Sequence, residues 1–368
     1  MLKKISILFL FCLALCACSS SEDNLNTTTD TFDRGALLTH IADNIIIPSY
    51  QDFKSKMDAL KASGTSFTTT PNQTTLQTLR ADWLAAYKEW QHVEMFNIGK
   101  AEDLQYHFYM NVFPLTVADV EANISSGSYD LNSVNNQDAQ GFPALDYLLY
   151  GIASNDTDIL DKYTTDANAT SYKNYVTDVL TQMSSLTDQV LTDWTNSYRN
   201  IFINNSGNTA TSALNKLVND FIFYYEKGLR ANKFGIPAGV FSSNPLPEKV
   251  EAFYNQNISK ELALEALIAV QDVFVGEFKG NSFANSSSFK DYLNNLDRTD
   301  LANSITTQLN VAKTQINSLN TNFYSQVNTD NSKMLKSYDE LQKVVVLLKV
   351  DMLQAFNINV DYVDADGD

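Results

Sequence analysis

Apolar residues recur along most of the chain at the spacing of an α-helix. In residues 171–202, Val176, Leu180, Met183 and Val190 fall three or four positions apart, which places them on one helical face. No segment shows the alternation of apolar and polar residues that is typical of a β-strand. Pro48 and Pro114 are expected to kink or break the helices that contain them. The pattern predicts helices over residues 37–61, 73–98, 105–125, 141–151, 171–202, 210–230, 248–278, 289–296, 301–327 and 332–356.

The longest stretch rich in Gly, Pro and Ser lies at residues 235–247 and separates two sets of predicted helices. Near the end of the chain, residues 344–348 are apolar on every side, which indicates a helix at the centre of its bundle. The sequence therefore predicts an all-α fold of two helical-bundle halves packed side by side, at residues 35–235 and 248–368.

The first 18 residues have the pattern of a bacterial lipoprotein signal peptide. Two lysines precede an apolar core at residues 5–15, which is too short to span a bilayer comfortably. The small residue Ala17 stands directly before Cys18, so Cys18 is the expected site of acylation and membrane attachment. Residues 19–34 then form a polar tether. We expect an outer-membrane lipoprotein of the cell envelope, periplasmic or surface-exposed; an ordinary cleaved signal peptide is the alternative.

Composition excludes several classes of function. The three cysteines, at positions 12, 16 and 18, all lie within the signal sequence, so the mature chain has no internal disulfide and no thiol nucleophile. A formal net charge of −17 argues against nucleic acid as a partner. Zinc-peptidase sites often carry two histidines four residues apart, and the three histidines here do not have that spacing.

The segment 141–151 reads as a short buried helix between two glycines. Gly141 can adopt backbone angles that other residues avoid, and Pro143 fits a first helical turn. Asp146 falls one turn from Phe142, so a carboxylate lies beside an aromatic ring. Asp146 is interpreted either as a favourable charge near the helix N-terminus or as part of a binding site.

A second candidate is the series Trp83, Tyr87, Trp90 and Glu94, whose spacing places all four side chains on one helical face. The aromatic residues are expected in the core. Glu94 extends this apolar face, so its carboxylate must find a partner, reach solvent or shift its pKa. Structural ion pairing and ligand binding are both consistent with that position.

A third group of charges closes the helix before the break at residues 235–247. Arg230 follows Glu226 by four residues, the spacing of a helical ion pair, and Lys233 adds a further donor. These donors could bind an anionic ligand or neutralise buried acids. Because isolated buried charges are costly, we expect Glu94, Asp146 and Arg230 to converge on one partly buried pocket between the halves. The predicted ligand-binding residues are Glu94, Trp90, Phe142, Asp146, Tyr147, Arg230 and Lys233.

Four blocks in order resemble the imelysin-like family: the aromatic helix ending at Glu94, the segment 141–151, the block 226–239 and the C-terminal stretch from Leu348. The family motif Gly-x-His-x-x-Glu has its frame here, with Pro143 at the His position and Asp146 at the Glu position. The resemblance implies an all-helical protein with a functional site between two bundle-like halves. Members of the family lie in bacterial iron-uptake loci, and some are classed as metallopeptidases.

The favoured function is a lipid-anchored, non-catalytic binding protein of the cell envelope linked to iron acquisition. An imelysin-type metallopeptidase is the alternative, followed by a structural or adhesion module. Catalysis is disfavoured because Pro143 has no side chain that could bind a metal. The expected ligand is iron, haem or another small molecule. Carboxylates suit hard cations, so Asp146 and Glu94 are the candidate ligands for iron or a similar ion.

Overall fold

A computed structural model describes residues 30–255 and 257–362. The predicted signal peptide, the anchor at Cys18, most of the tether at 19–34 and the last residues of the chain lie outside the described residues. From Phe32 onward the contacts define one compact unit. Among the described helices, none combines the length and the apolar character that crossing a membrane requires.

The predicted all-α fold is confirmed. The described residues contain helices and a single isolated β-bridge, between Phe278 and Asn281. The α-helices in chain order are α1 Arg34–Ile41, α2 Ile47–Thr69, α3 Gln73–Trp90, α4 Lys100–Asp103, α5 Tyr106–Met110, α6 Val117–Ser126, α7 Gly141–Asp146, α8 Asp156–Thr164, α9 Ala169–Asp193, α10 Arg199–Asn204, α11 Ala213–Phe223, α12 Ile236–Ala238, α13 Ser259–Val275, α14 Phe289–Asn295, α15 Thr299–Asn317, α16 Phe323–Val345 and α17 Leu353–Phe356.

Several of these helices are joined end to end by π-helical turns, so that they form longer continuous rods. Pro48 is the second residue of α2 and directly follows one such π-helical turn; because it has no backbone N–H, it cannot donate to a carbonyl of that preceding turn. The π-helical segments are Ala42–Ile46, Tyr147–Gly151, Trp194–Tyr198, Tyr224–Gly235 and Val346–Met352; the 3₁₀ segments are Val134–Ala139 and Pro247–Lys249.

Two sets of helices account for most of the packing. In the first, α2 packs against α3 and α9. In the second, α16 packs against α15 and against the π-helical segment Tyr224–Gly235, which also contacts α13. The segment Tyr224–Gly235, which the sequence interpretation assigned to the first half, therefore packs with helices of the second half.

The structure corrects the end of the helix predicted over residues 73–98. Helix α3 ends at Trp90, and tight turns follow, in which Val93 and Glu94 both donate to the carbonyl of Trp90. Glu94 therefore lies beyond the helix and does not extend its aromatic face.

The helix predicted over residues 248–278 was wrong for its first part. A 3₁₀ turn at Pro247–Lys249 is followed by an irregular segment, and α13 begins only at Ser259. Ala252 has a φ of 55°, which interrupts any helix, and the backbone N–H groups of Tyr254 and Asn255 donate to a distant carboxylate. Tertiary hydrogen bonds thus replace the helical ones in this segment.

Candidate functional site

Gly141 brings the start of α7 against the end of α5. Its φ is 74°, and a Cβ atom at this position would lie 2.2 Å from the carbonyl oxygen of Met110. Only glycine tolerates both the backbone angle and this approach. The contact places α7 beside residues 111–115, the segment that carries the centre of the site.

A buried hydrogen-bond network surrounds Asn111. Its side-chain oxygen accepts from the Tyr87 hydroxyl at 2.7 Å, and its Nδ2 donates to Glu251 at 3.0 Å and to Glu94 at 3.3 Å. The other carboxylate oxygen of Glu251 accepts from Lys233 Nζ at 2.6 Å, and both side chains are 2% exposed. The charge of Glu251 is therefore balanced inside the protein, whereas Glu94 receives only an amide hydrogen bond.

Glu94 faces a cavity of about 280 Å³, which we call cavity A. Its Oε1 accepts from Asn111, while its buried Oε2 and the buried hydroxyl of Tyr224 make no hydrogen bond of standard geometry within the described residues. Burial, and after it the nearby Glu94 carboxylate, raises the pKa of Tyr224, so the two groups lie close together. Burial raises the pKa of Glu94 to about 6, and the nearby Glu251 charge adds to this effect while Lys233 opposes it. The walls include Glu94, His107, Phe108, Asn111, Phe113, Asp220, Phe223, Tyr224 and Lys227.

Asp220 and His107 add two further titratable groups to cavity A. Burial, with the charges of Glu102 and Asp361, raises the pKa of Asp220 to about 8. Burial lowers the pKa of His107 to about 4, so its ring is neutral at neutral pH. Within the described residues, neither Glu94 nor Asp220 forms an ion pair. Cavity A thus combines aromatic walls with two carboxyl groups that form no ion pair within the described residues, although the charge of Lys233 acts on Glu94 and that of Lys216 on Asp220.

Asp146 lines a separate cavity of about 190 Å³, cavity B, together with Pro143. Phe113 lines both cavities and therefore lies between them. The two carboxylate oxygens of Asp146 accept from the backbone N–H groups of Tyr254 and Asn255 at 2.8 and 2.9 Å. Burial raises the pKa of Asp146 to about 7, although these hydrogen bonds favour its charged form. Asp146 holds the segment before α13 in place.

The aromatic residues predicted for the site lie in the core next to it. Phe142 stacks on Tyr87 with ring centroids 4.4 Å apart and also contacts Trp90. Phe142 and Trp90 are at most 1% exposed, so they support the site without reaching its surface. The hydroxyl of Tyr147 donates to Glu121 at 2.7 Å.

The structure does not bring Glu94, Asp146 and Arg230 into one shared cavity. Arg230 forms the expected ion pair with Glu226, at 3.5 Å, and also donates to Tyr338 and Gln342. Glu226 and Gln342 line a third, open cavity of about 700 Å³. The cation of the network beside Glu94 is Lys233, which lies one helical turn after Arg230. Because of this offset along the helix, the two cations pair with different acids: Arg230 with Glu226, and Lys233 with Glu251.

The carboxylates do not assemble a metal site. Within the described ranges, no group of three or more His, Cys, Asp or Glu side chains is arranged to hold a metal ion. The predicted pair Asp146 and Glu94 lies in two cavities, and both oxygens of Asp146 already accept hydrogen bonds. A hard cation therefore has no ready coordination shell of protein oxygens here.

The site residues missed from the sequence include Asn111, Asp220, Tyr224 and Glu251. Glu251 fell in a segment predicted as ordinary helix, and Asn111 in a helix expected to break at Pro114. Asp220 and Tyr224 are four residues apart, which indicates a shared helical face, and an acid on that otherwise apolar face was the available signal.

The comparison with protein families identifies the family of this chain. The sequence profile of imelysin (Peptidase_M75) matches residues 46–348. The chain belongs to the imelysin family. The match covers α2 to α16 and includes the residues that line cavities A and B.

Two solved structures share the imelysin fold with this chain. One is an imelysin-like protein from Psychrobacter arcticum 273-4, with 19% identity, a TM-score of 0.71 and coverage of 89% of this chain and 97% of its own. The other, from Parabacteroides distasonis ATCC 8503, is described as an iron-regulated protein A precursor, with 17% identity, a TM-score of 0.72 and coverage of 88% and 95%. No curated protein matches the sequence.

Proposed function

We propose that this imelysin-family protein is a lipid-anchored binding protein of the cell envelope that serves iron acquisition and has no catalytic activity. The observation that carries the proposal is a neighbouring pair of buried polar atoms in cavity A, Glu94 Oε2 and the Tyr224 hydroxyl, neither of which makes a hydrogen bond of standard geometry within the described residues. Buried polar atoms are costly without a partner, so a bound molecule that supplies one stabilises the site.

The segment of the family motif argues against the metallopeptidase alternative. Pro143 contributes no polar group to cavity B, and Asp146 uses both carboxylate oxygens to hold backbone N–H groups. A metallopeptidase needs protein ligands for its metal and an open coordination position. The adhesion alternative predicts polar groups dispersed over the surface, whereas Glu94, Asn111, Glu251 and Lys233 form one buried network.

The link to iron rests on the family and on the relative from Parabacteroides distasonis that is described as iron-regulated. Cavity A has a volume of the order found in small-molecule pockets. Its side chains do not form a coordination shell for a bare metal ion within the described residues. We therefore infer that the ligand is a small organic molecule, of which an iron chelate is one kind.

A protease assay tests the absence of catalysis. The purified protein is incubated with unfolded protein substrates, with and without added divalent metals, and cleavage is followed by mass spectrometry. We expect no cleavage above a buffer control. Reproducible cleavage by the purified protein that is lost in Asp146→Asn would overturn the non-catalytic assignment.

A further inference from the structure

We propose that cavity A binds an organic cation, an ammonium group carried on an apolar or aromatic body. The inference deepens the proposed binding function and rests on it, because it names the chemical class that this cavity accepts. Three features of the cavity walls support it. The polar end has two buried oxygen atoms without hydrogen bonds of standard geometry, two acids form no ion pair within the described residues, and aromatic rings lie at the rim.

The polar end offers acceptors in a buried position. Glu94 Oε2 and the hydroxyl oxygen of Tyr224 are both buried and make no hydrogen bond of standard geometry in the described part of the chain. Tyr224 is 5% exposed, so bulk water does not satisfy it. An ammonium group has several N–H donors and no acceptor, which lets one group serve both oxygen atoms. Its hydrogen bond to the carboxylate would be charge-assisted and correspondingly strong.

The charges around the cavity favour a cation. Glu94 and Asp220 lack ion pairs within the described residues, whereas the nearby cations are engaged elsewhere. Lys227 also lines the cavity, and its ammonium group lies 3.6 Å from Glu226. Lys233 is paired with Glu251. Burial raises the pKa of Asp220 to about 8, so this carboxyl is largely protonated at neutral pH. An incoming cation would neutralise Glu94 and favour the charged form of Asp220.

The aromatic rings explain why the cation should be organic. Phe108 is 41% exposed and Phe223 is 40% exposed, and both line the cavity, as does the less exposed Phe113. Large exposed apolar side chains grouped around a concave site are typical of ligand-binding surfaces. Aromatic faces also attract ammonium groups directly. A hydrated inorganic ion would gain nothing from these rings.

Calorimetry with three matched probes tests the class of ligand. The probes are 2-phenylethylamine, which is cationic at neutral pH, 2-phenylethanol, which is neutral, and 3-phenylpropanoate, which is anionic. We expect saturable binding of the amine and no measurable binding of the other two. Equal binding of all three, or a preference for the alcohol or the anion, would overturn the proposal.

Substitutions place the binding in cavity A. Glu94→Gln keeps the size of the side chain and removes its charge, so amine affinity should fall about tenfold or more. Asp220→Asn should also lower the amine affinity. Phe223→Ser removes an aromatic ring at the exposed rim without altering the core, and it too should lower the amine affinity. Asp119→Asn, on the exposed face of α6, is the matched control and should bind as the unmodified protein does. Unchanged amine affinity in the two cavity-acid variants would contradict the assignment.

The outcome is separable from the proposed function. A protein that is purified with a neutral or anionic small molecule and ignores the amine would remain a binding protein, and only the inferred ligand class would fail. A protein that cleaves substrates yet binds the amine at Glu94 would lose the non-catalytic assignment and keep the cation site.

Discussion

Asp146, which stands at the Glu position of the family motif, holds a distant segment of the backbone. Its carboxylate is 2% exposed and accepts two backbone N–H groups from the segment before α13. The carboxylate at this motif position thus binds the backbone of the segment before α13. The proximity of Asp146 to Phe142 in sequence predicted burial, but the segment that Asp146 holds lies more than a hundred residues away and left no local pattern.

The titration of Asp146 gives a pH prediction. Its pKa is about 7 in the folded protein and near the ordinary Asp value of 3.8 in the unfolded protein. At any pH between these two pKa values, unfolding therefore releases a proton from Asp146. The contribution of Asp146 to the free energy of unfolding is therefore present below about pH 4 and is lost as the pH rises through about 7. Asp146→Asn lacks this dependence. Urea unfolding at about pH 4 and pH 8 should show a larger loss of stability in the unmodified protein than in Asp146→Asn.

The same variant also loses an acceptor. One side-chain oxygen becomes an NH₂ group that faces a backbone N–H, so at neutral pH the free energy of unfolding should change by about 1–3 kcal/mol through the unpaired donor. The pH comparison isolates the titration, because asparagine at this position has no proton to lose between about pH 4 and pH 8. Parallel pH profiles for the two proteins would show that Asp146 does not titrate as described.

At the scale of elements, the sequence predicted the helices well where apolar spacing was regular and unbroken. The helix over 141–151 has the predicted bounds, as α7 and the π-helical turn that continues it. One error is the break at residues 318–322, which divides the helix predicted over 301–327. Others fall where tertiary contacts replace helical hydrogen bonds, after Trp90 and before Ser259. Both irregular segments carry site residues, Glu94 and Glu251, so the parts hardest to predict are the parts that build the site.

The junction between α5 and α7 can be tested at Gly141. A Cβ at this residue would collide with the Met110 carbonyl and would force alanine into a φ of 74°. Gly141→Ala should lower the free energy of unfolding by about 2 kcal/mol or more, through strain and the displaced backbone.

Gly127→Ala is the matched control for that substitution. Gly127 has a similar φ of 62°, but a Cβ there would meet no atom within 4 Å. It should cost only about 1 kcal/mol, the conformational penalty. Denaturant unfolding measures both variants, and equal losses of stability would show that the approach to Met110 is unimportant.

For the whole molecule, the all-α class followed from composition and helical spacing, and the family resemblance is confirmed over residues 46–348. The grouping of charges could not be predicted in the same way. Arg230 and Lys233 lie three residues apart in sequence, yet Arg230 pairs with Glu226 while Lys233 pairs with Glu251. Which acid each cation meets depends on how the helices are packed.

Attachment to the membrane is a further prediction for the whole molecule. Because Ala17 precedes Cys18 while Leu15 precedes Cys16, acylation is expected at Cys18. Cys18→Ser should release the protein from the membrane fraction, and Cys16→Ser should not. Detergent-phase partitioning of the two variants measures this, and equal retention of both would exclude Cys18 as the anchor.

The central claim, that cavity A holds a small ligand, is tested most directly by native mass spectrometry of the protein purified from its own cell envelope. The unmodified protein and the control Glu261→Gln, which alters only a surface ion pair with Lys88, should carry one small molecule per chain. Glu94→Gln should be purified folded and empty. A protein that is empty in all three forms, or a ligand retained in full by Glu94→Gln, would contradict the account.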